Sequence, residues 1–107
     1  MKFILNYNDI NYNDKFISLY FYAKWFKQHD RVFSILNKME KEYPCNIYAI
    51  DVDAYKNICE IHSINSVPTV LIISKGKELK RINGVAYTSG FRRAFYDVDQ
   101  ITSKADI

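Results

Sequence analysis

The run Phe16-Ile-Ser-Leu-Tyr-Phe-Tyr-Ala23 constrains this chain most. Apart from Ser18, every residue in it is apolar or aromatic, and no polar alternation gives it a wet face. Such a segment suits a strand in the middle of a sheet that is covered on both sides. A sheet of that kind needs helices above and below it, which predicts an α/β sandwich.

The rest of the chain supplies those layers. His29–Tyr43 places Val32, Phe33, Ile35, Leu36, Met39 and Tyr43 at spacings of three and four, which predicts a helix that Pro44 ends. Asp30 lies where the helix dipole favours a negative charge. Asn46–Val52 reads as a second buried strand. Asp53 is a candidate cap for a helix through His62, with Ile58 and Ile61 facing inward. Thr69–Ser74 is a β-branched strand, which Lys75-Gly76-Lys77 turns back into Glu78–Asn83 as a hairpin. Thr88 or Ser89 opens a last helix with Phe91, Ala94, Phe95 and Val98 inward. Phe3-Ile4-Leu5 predicts a short first strand. Asn6–Asp14, rich in turn formers, is a loop or a short helix capped by Asn8 or Asp9. The order is β-α-β-α-β-α-β-β-α. It predicts one domain over residues 1–99 and a frayed tail over 100–107, where apolar periodicity stops.

Composition narrows the function classes. Hydrophobic residues make up 49% of the 107, which excludes a disordered chain. The net charge is +3, and the densest basic stretches, Lys75–Arg81 and Arg92-Arg93, lack the clustering of a nucleic-acid face. No apolar run approaches a membrane span, and no signal peptide is visible. A cytoplasmic protein is the expectation. The two cysteines, Cys45 and Cys59, form neither a CxxC pair nor a disulfide framework. Cys59 and His62 share a helix face, but no four-ligand spacing is present, so no metal and no cofactor is expected. His62 is expected to end its helix, where a protonated ring suits the dipole.

Six segments in the same order resemble the thioredoxin family. Phe21-Tyr22-Ala23-Lys24-Trp25 is similar to the aromatic approach to its active-site motif. Phe26-Lys27-Gln28-His29 stands where redox members carry Cys-Gly-Pro-Cys. Asp51-Val52-Asp53 resembles the close of the third strand, and Ser66-Val67-Pro68-Thr69 resembles the loop bearing the family's cis-proline. Lys75-Gly76-Lys77 is similar to the terminal hairpin turn, and Gly84-Val85-Ala86 to the glycine after the last strand. The resemblance spans roughly residues 2–98. It implies a three-layer sandwich around a mixed sheet, with a C-terminal hairpin and final helix.

The departures bear on function. Dithiol exchange needs a low-pKa thiolate at a helix N-terminus and a second thiol to resolve the mixed disulfide. Phe26 is no nucleophile and His29 resolves no disulfide. The resemblance implies a buried relay carboxylate where Tyr20 stands, and a nearby lysine where Ala49 stands. The expectation is therefore a non-catalytic domain that binds a protein partner, as a subunit, adaptor or chaperone-like binder. Trp25, Phe26, Lys27, Gln28 and His29 would border the groove, with Ser66, Val67, Pro68 and Thr69 as the partner-binding loop, and Gly84 and Val85 as further candidates. Either Phe26 enlarges the groove or it folds inward and plugs it. His29 is expected to be a polar surface or cap residue. The alternative is an oxidoreductase-related enzyme using a lone cysteine, Cys45 or Cys59, otherwise read as structural. The identity of the partner and the oligomeric state lie outside the sequence.

Overall fold

The computed structural model describes residues 1–105, with the backbone alone at Ala105. The central run becomes strand β2 (Ile17–Tyr22), buried at all six positions. Around it lie β1 (Lys2–Phe3), β3 (Asn46–Asp51), β4 (Thr69–Ser74) and β5 (Lys77–Asn83) in the order β1-β3-β2-β4-β5. β3 runs parallel to both β1 and β2, whereas β4 pairs antiparallel with β2 and β5. The hairpin turn places Lys75 and Gly76 at φ 49° and 83°. Positive φ at both central residues matches the right-handed twist of the flanking strands.

The period of two along β2 sorts its side chains between two cores. Tyr20 and Tyr22 face helices α1 (His29–Glu42) and α3 (Thr88–Ala105), packing with Val32, Leu36, Met39, Phe91 and Phe95. Ile17, Leu19 and Phe21 face the other layer, with Ile10, Tyr48, Ile50 and Ile58. Ile58 is the buried residue of the short helix α2 (Lys56–Ile61). The polar exception, Ser18, donates its hydroxyl to the Leu71 carbonyl at 2.9 Å, so its burial leaves no orphan group. This is the expected three-layer α/β sandwich with a mixed sheet, a C-terminal hairpin and a final helix.

Local details differ from the sequence reading. The first strand stops at Phe3 and Leu5 is 80% exposed, because only Ile4 continues the pairing, through its N–H to the Ala49 carbonyl at 3.2 Å. The Asn-rich segment holds a 3-10 turn over Tyr7–Asp9, capped by Asn6 rather than Asn8 or Asp9. The Asn6 side chain accepts from the Asn8 N–H, and Asp9 reaches back to the Asn6 N–H, a reciprocal capping box. Asp53 does not cap α2, which begins three residues later, and Ile61 is 58% exposed rather than inward. The last helix runs past Asp99, where the frayed tail was expected to begin. Thr102 is buried there with its hydroxyl donating to the Val98 carbonyl at 2.8 Å. Residues 106–107 of the expected tail lie outside the described residues.

His62 also departs from expectation. It follows α2, but its Nε2 lies 3.0 Å from the Tyr12 hydroxyl, which ties the N-terminal loop to the helix. Burial lowers its pKa from 6.5, and nearby Arg81 adds to this against Glu78, so the ring is held neutral rather than charged for the dipole. An unfolded chain takes up a proton on His62 at a higher pH than the folded one. Stability should therefore fall as pH drops below 6.5, until the folded ring also protonates. Urea midpoints measured from about pH 7.5 to about pH 5 should show this slope, and His62→Gln should flatten it. An unchanged slope in the variant would assign the acid sensitivity to other groups.

Candidate functional site

The site residues gather at the end of the sheet where β2 stops and β4 starts. After Tyr22 the chain leaves the core through Ala23, and a turn bonded by Phe26 N–H to the Ala23 carbonyl (3.1 Å) leads into α1. Lys24 and Trp25 come out exposed, Trp25 at 67%. The Trp25 indole N–H donates to the Asp53 carboxylate at 3.0 Å, which fixes the ring against the segment after β3. The Asp51 carboxylate accepts the Asp53 N–H at 2.9 Å and lies 3.8 Å from the Lys24 ammonium. Asp53 thus anchors the tryptophan.

Opposite stands the loop before β4. The Val67–Pro68 peptide bond is cis. The Thr69 hydroxyl donates to the Ser66 carbonyl at 2.8 Å, and the Gly84 N–H donates to the Pro68 carbonyl at 2.8 Å. Gly84 supports that contact at φ 89°, in the left-handed region that glycine adopts without penalty. Pro68 and Thr69 are buried, while Ser66 is exposed and Val67 half-buried. Among the described residues, the Val67 N–H and C=O make no hydrogen bond within the chain.

Between these walls lies a cavity of about 650 Å³, lined by Trp25, Val52, Cys59, Ile64, Ser66 and Val67, with Lys56 and Glu60 at its side. That volume is in the range of ligand-binding clefts. Of the residues singled out from sequence, Trp25, Ser66 and Val67 line it. Phe26, Lys27, Gln28 and His29 border the turn instead, and Val85 is exposed beyond Gly84. The wall supplied by α2 and Ile64 was missed, because nothing in the spacing of those residues marks them as facing a cleft.

Beneath the motif turn is an arrangement that sequence reasoning did not find. His29, the first residue of α1, is half-buried, and its Nδ1 lies 2.8 Å from the hydroxyl of the buried Tyr20. A hydroxyl both donates and accepts, so the pair is satisfied whichever ring nitrogen carries the proton. The imidazole also stacks on Tyr22, with centroids 4.7 Å apart and planes at 17°, and meets the Phe33 ring edge-on at 5.8 Å. His29 is therefore a core-facing residue and not the surface or cap group expected. Burial, with smaller contributions from Tyr22 and Asp30, pushes the Tyr20 pKa upward and keeps its hydroxyl protonated. Phe26 is half-buried and belongs to neither core, and the Tyr20–His29 pair lies at the start of α1 beside it.

The cysteines lie apart. Cys45 sits at the opposite end of the sheet, where burial, aided by Glu40 and Asp99, pushes its thiol up to about 12. Cys59 packs against the second core and also lines the groove, and burial raises its pKa as well. Among the described residues no cluster of His, Cys, Asp and Glu could hold a metal ion. No helix there is long and apolar enough to cross a membrane.

Comparison with known proteins agrees with this architecture. The family model described as Thioredoxin matches residues 5–95. Thioredoxin-1 of Saccharomyces cerevisiae is 28% identical over 72 residues, 66% of this chain and 70% of that protein. Thioredoxin 2 of Plasmodium falciparum is 32% identical over 76 residues, 69% of this chain and 48% of that protein, so the match spans about half of the relative. Among solved structures, a variant thioredoxin of Halobacterium salinarum superposes with a TM-score of 0.84 at 14% identity, covering 92% of this chain and 89% of its own. The oxidised thioredoxin of Plasmodium falciparum gives 0.81 at 20% identity, covering 92% and 97%. At these identities the structural matches speak to fold alone.

Two outcomes follow. Tyr20→Phe should cost about 1 kcal/mol in urea unfolding by stripping His29 of its partner. In a His29→Leu background the same change should cost much less, and equal costs would mean the pair is not coupled. Secondly, a thiol with a pKa near 12 is ionised to only about one part in 10⁵ at pH 7. Iodoacetamide should therefore label native Cys45 far more slowly than free cysteine, with Cys59 intermediate. Rapid labelling of either would show a thiolate that the surroundings do not explain.

Proposed function

The chain belongs to the thioredoxin family, and within it we propose that this domain no longer performs dithiol exchange and instead binds an extended segment of a partner protein in the groove beside Val67. The observation that carries this reading is the pairing-competent backbone of Val67 next to a cavity of about 650 Å³ with Trp25 on its other side. An extended segment that pairs with a free N–H and C=O adds a strand, gaining affinity from main-chain bonds and specificity from the pocket that takes its side chains. Exposed Trp25, held by Asp53 at small entropic cost, has the character of a binding anchor.

The chemical side of the reading rests on the sequence. The chain has two cysteines, neither at the motif. Of the positions that would supply the thiolate, the resolving group and the relay acid, Phe26 and the bonded Tyr20–His29 pair offer none of those functions. A lone-thiol enzyme would centre on Cys59, the only cysteine at the groove. Its raised pKa favours the less reactive thiol.

The test joins binding and chemistry. Peptides selected from a random library on the domain should perturb backbone amide resonances of Trp25, Cys59, Ser66, Val67 and Gly84. Trp25→Ala, which removes the exposed ring that lines the groove, should weaken their binding about tenfold. Perturbations confined to other faces would overturn the groove reading. Insulin reduction by dithiothreitol should run at the uncatalysed rate; catalysis by the native chain that Cys45→Ser or Cys59→Ser abolishes would overturn the loss of thiol chemistry.

A further inference from the structure

The opposite end of the sheet holds a second cavity that the groove does not use. It opens where the hairpin turn meets α3, has a volume of about 330 Å³, and is lined by Lys15, Ser74, Lys75, Lys77, Leu79 and Ile101, with Thr102 behind. Its chemistry is divided. Leu79 is half-buried and Ile101 is 51% exposed, so the interior offers aliphatic carbon. The rim offers ammonium groups and no carboxylate among the described residues. Lys75 and Lys77 are exposed and form no ion pair there. The Lys15 ammonium donates to the Ser103 hydroxyl at 2.9 Å. The wall hydroxyls are committed as donors, Ser74 to the Lys15 carbonyl at 2.6 Å and Thr102 to the Val98 carbonyl at 2.8 Å. Among the described residues, a ligand entering here meets carbon on the walls and, as unpaired donors, the Lys75 and Lys77 ammonium groups. Both belong to the dense basic stretch Lys75–Arg81 of the sequence.

We propose that this cavity is a binding site for a small anionic amphiphile of the medium-chain carboxylate class, its hydrocarbon against Leu79 and Ile101 and its carboxylate between the Lys75 and Lys77 ammonium groups. The division of the walls selects such a ligand. A neutral alcohol would leave the Lys75 and Lys77 ammonium groups without a counter-charge, and an inorganic anion would leave the aliphatic walls in water. The volume lies at the small end of ligand sites, which matches one short chain. A concave site with its carbon inside fits a single chain rather than a bilayer surface. The site lies at the far end of the sheet from Val67 and stands or falls independently of the groove.

The experiment titrates decanoate, decanol and phosphatidylglycerol vesicles separately into the full chain and follows amide resonances. Decanoate should saturate below its micellar concentration, moving Ser74, Lys75, Lys77, Ile101 and Thr102. Decanol should bind about tenfold more weakly, and Lys75→Glu with Lys77→Glu should weaken decanoate by a similar factor. These two lysines are exposed, so the fold tolerates the change; Ile101→Glu, at a half-exposed position, supplies an independent loss. Equal binding of decanol, or decanoate shifts centred on Trp25, would overturn the proposal. Binding only to vesicles would assign the patch to a membrane surface instead.

Discussion

Everything in this domain hangs on β2. Six consecutive buried residues leave the strand no solvent face, so it must be hydrogen-bonded on both edges and covered on both sides. β3 and β4 satisfy the edges, one parallel and one antiparallel. The two faces then dictate two separate cores. Because Tyr20 and Tyr22 point to the α1 side, the strand also delivers polar-tipped aromatics to the place where the chain leaves the sheet. The position of the groove follows from this, since the motif turn can start only where β2 ends.

The Tyr20–His29 bond gives a physical meaning to two departures from the thioredoxin pattern that look independent in the sequence. One replaces the position that the resemblance assigns to a buried carboxylate, the other the position of the second motif cysteine. A tyrosine hydroxyl buried without a partner carries a desolvation cost, and so does an imidazole nitrogen. Together they satisfy each other at 2.8 Å. Rings also carry more apolar area than a carboxylate and a thiol, and here the imidazole meets the Phe33 ring edge-on.

Periodicity made much of this architecture legible. The six-residue strands, the long helices and the hairpin were readable from Phe16–Ala23, His29–Tyr43 and Lys75–Gly76, because each is decided by which face is apolar. Legibility failed where a side chain's partner lies far along the chain. Asp53 reads as a helix cap from its neighbours, yet its carboxylate serves Trp25, 28 residues away. His62 reads as a helix-end charge, yet it bonds Tyr12, 50 residues away, and is held neutral. Ile61 is apolar but exposed, since α2 has only six residues and turns Ile58 and, less fully, Cys59 to the core. The α3 residues beyond Asp99 lack an apolar stripe, yet the helix continues through them, with Thr102 buried and its hydroxyl satisfied on the Val98 carbonyl. At the site, Trp25, Ser66 and Val67 were legible as family motifs, whereas the wall from α2 and Ile64 is a product of packing.

The groove and the motif chemistry are held by different parts of the chain. The loop around Pro68 is fixed by the Thr69 hydroxyl on Ser66 and by the Gly84 N–H on the Pro68 carbonyl, and Trp25 by Asp53. None of these contacts involves positions 26 to 29. Substitution there can therefore remove thiol chemistry without disturbing the walls that shape the cleft. Conversely, the bonded pair beneath the motif fixes the start of α1 from below, so the turn bearing Phe26 keeps its place with no disulfide to brace it. The cleft can therefore keep its shape when the motif residues change, because the two draw on separate interactions.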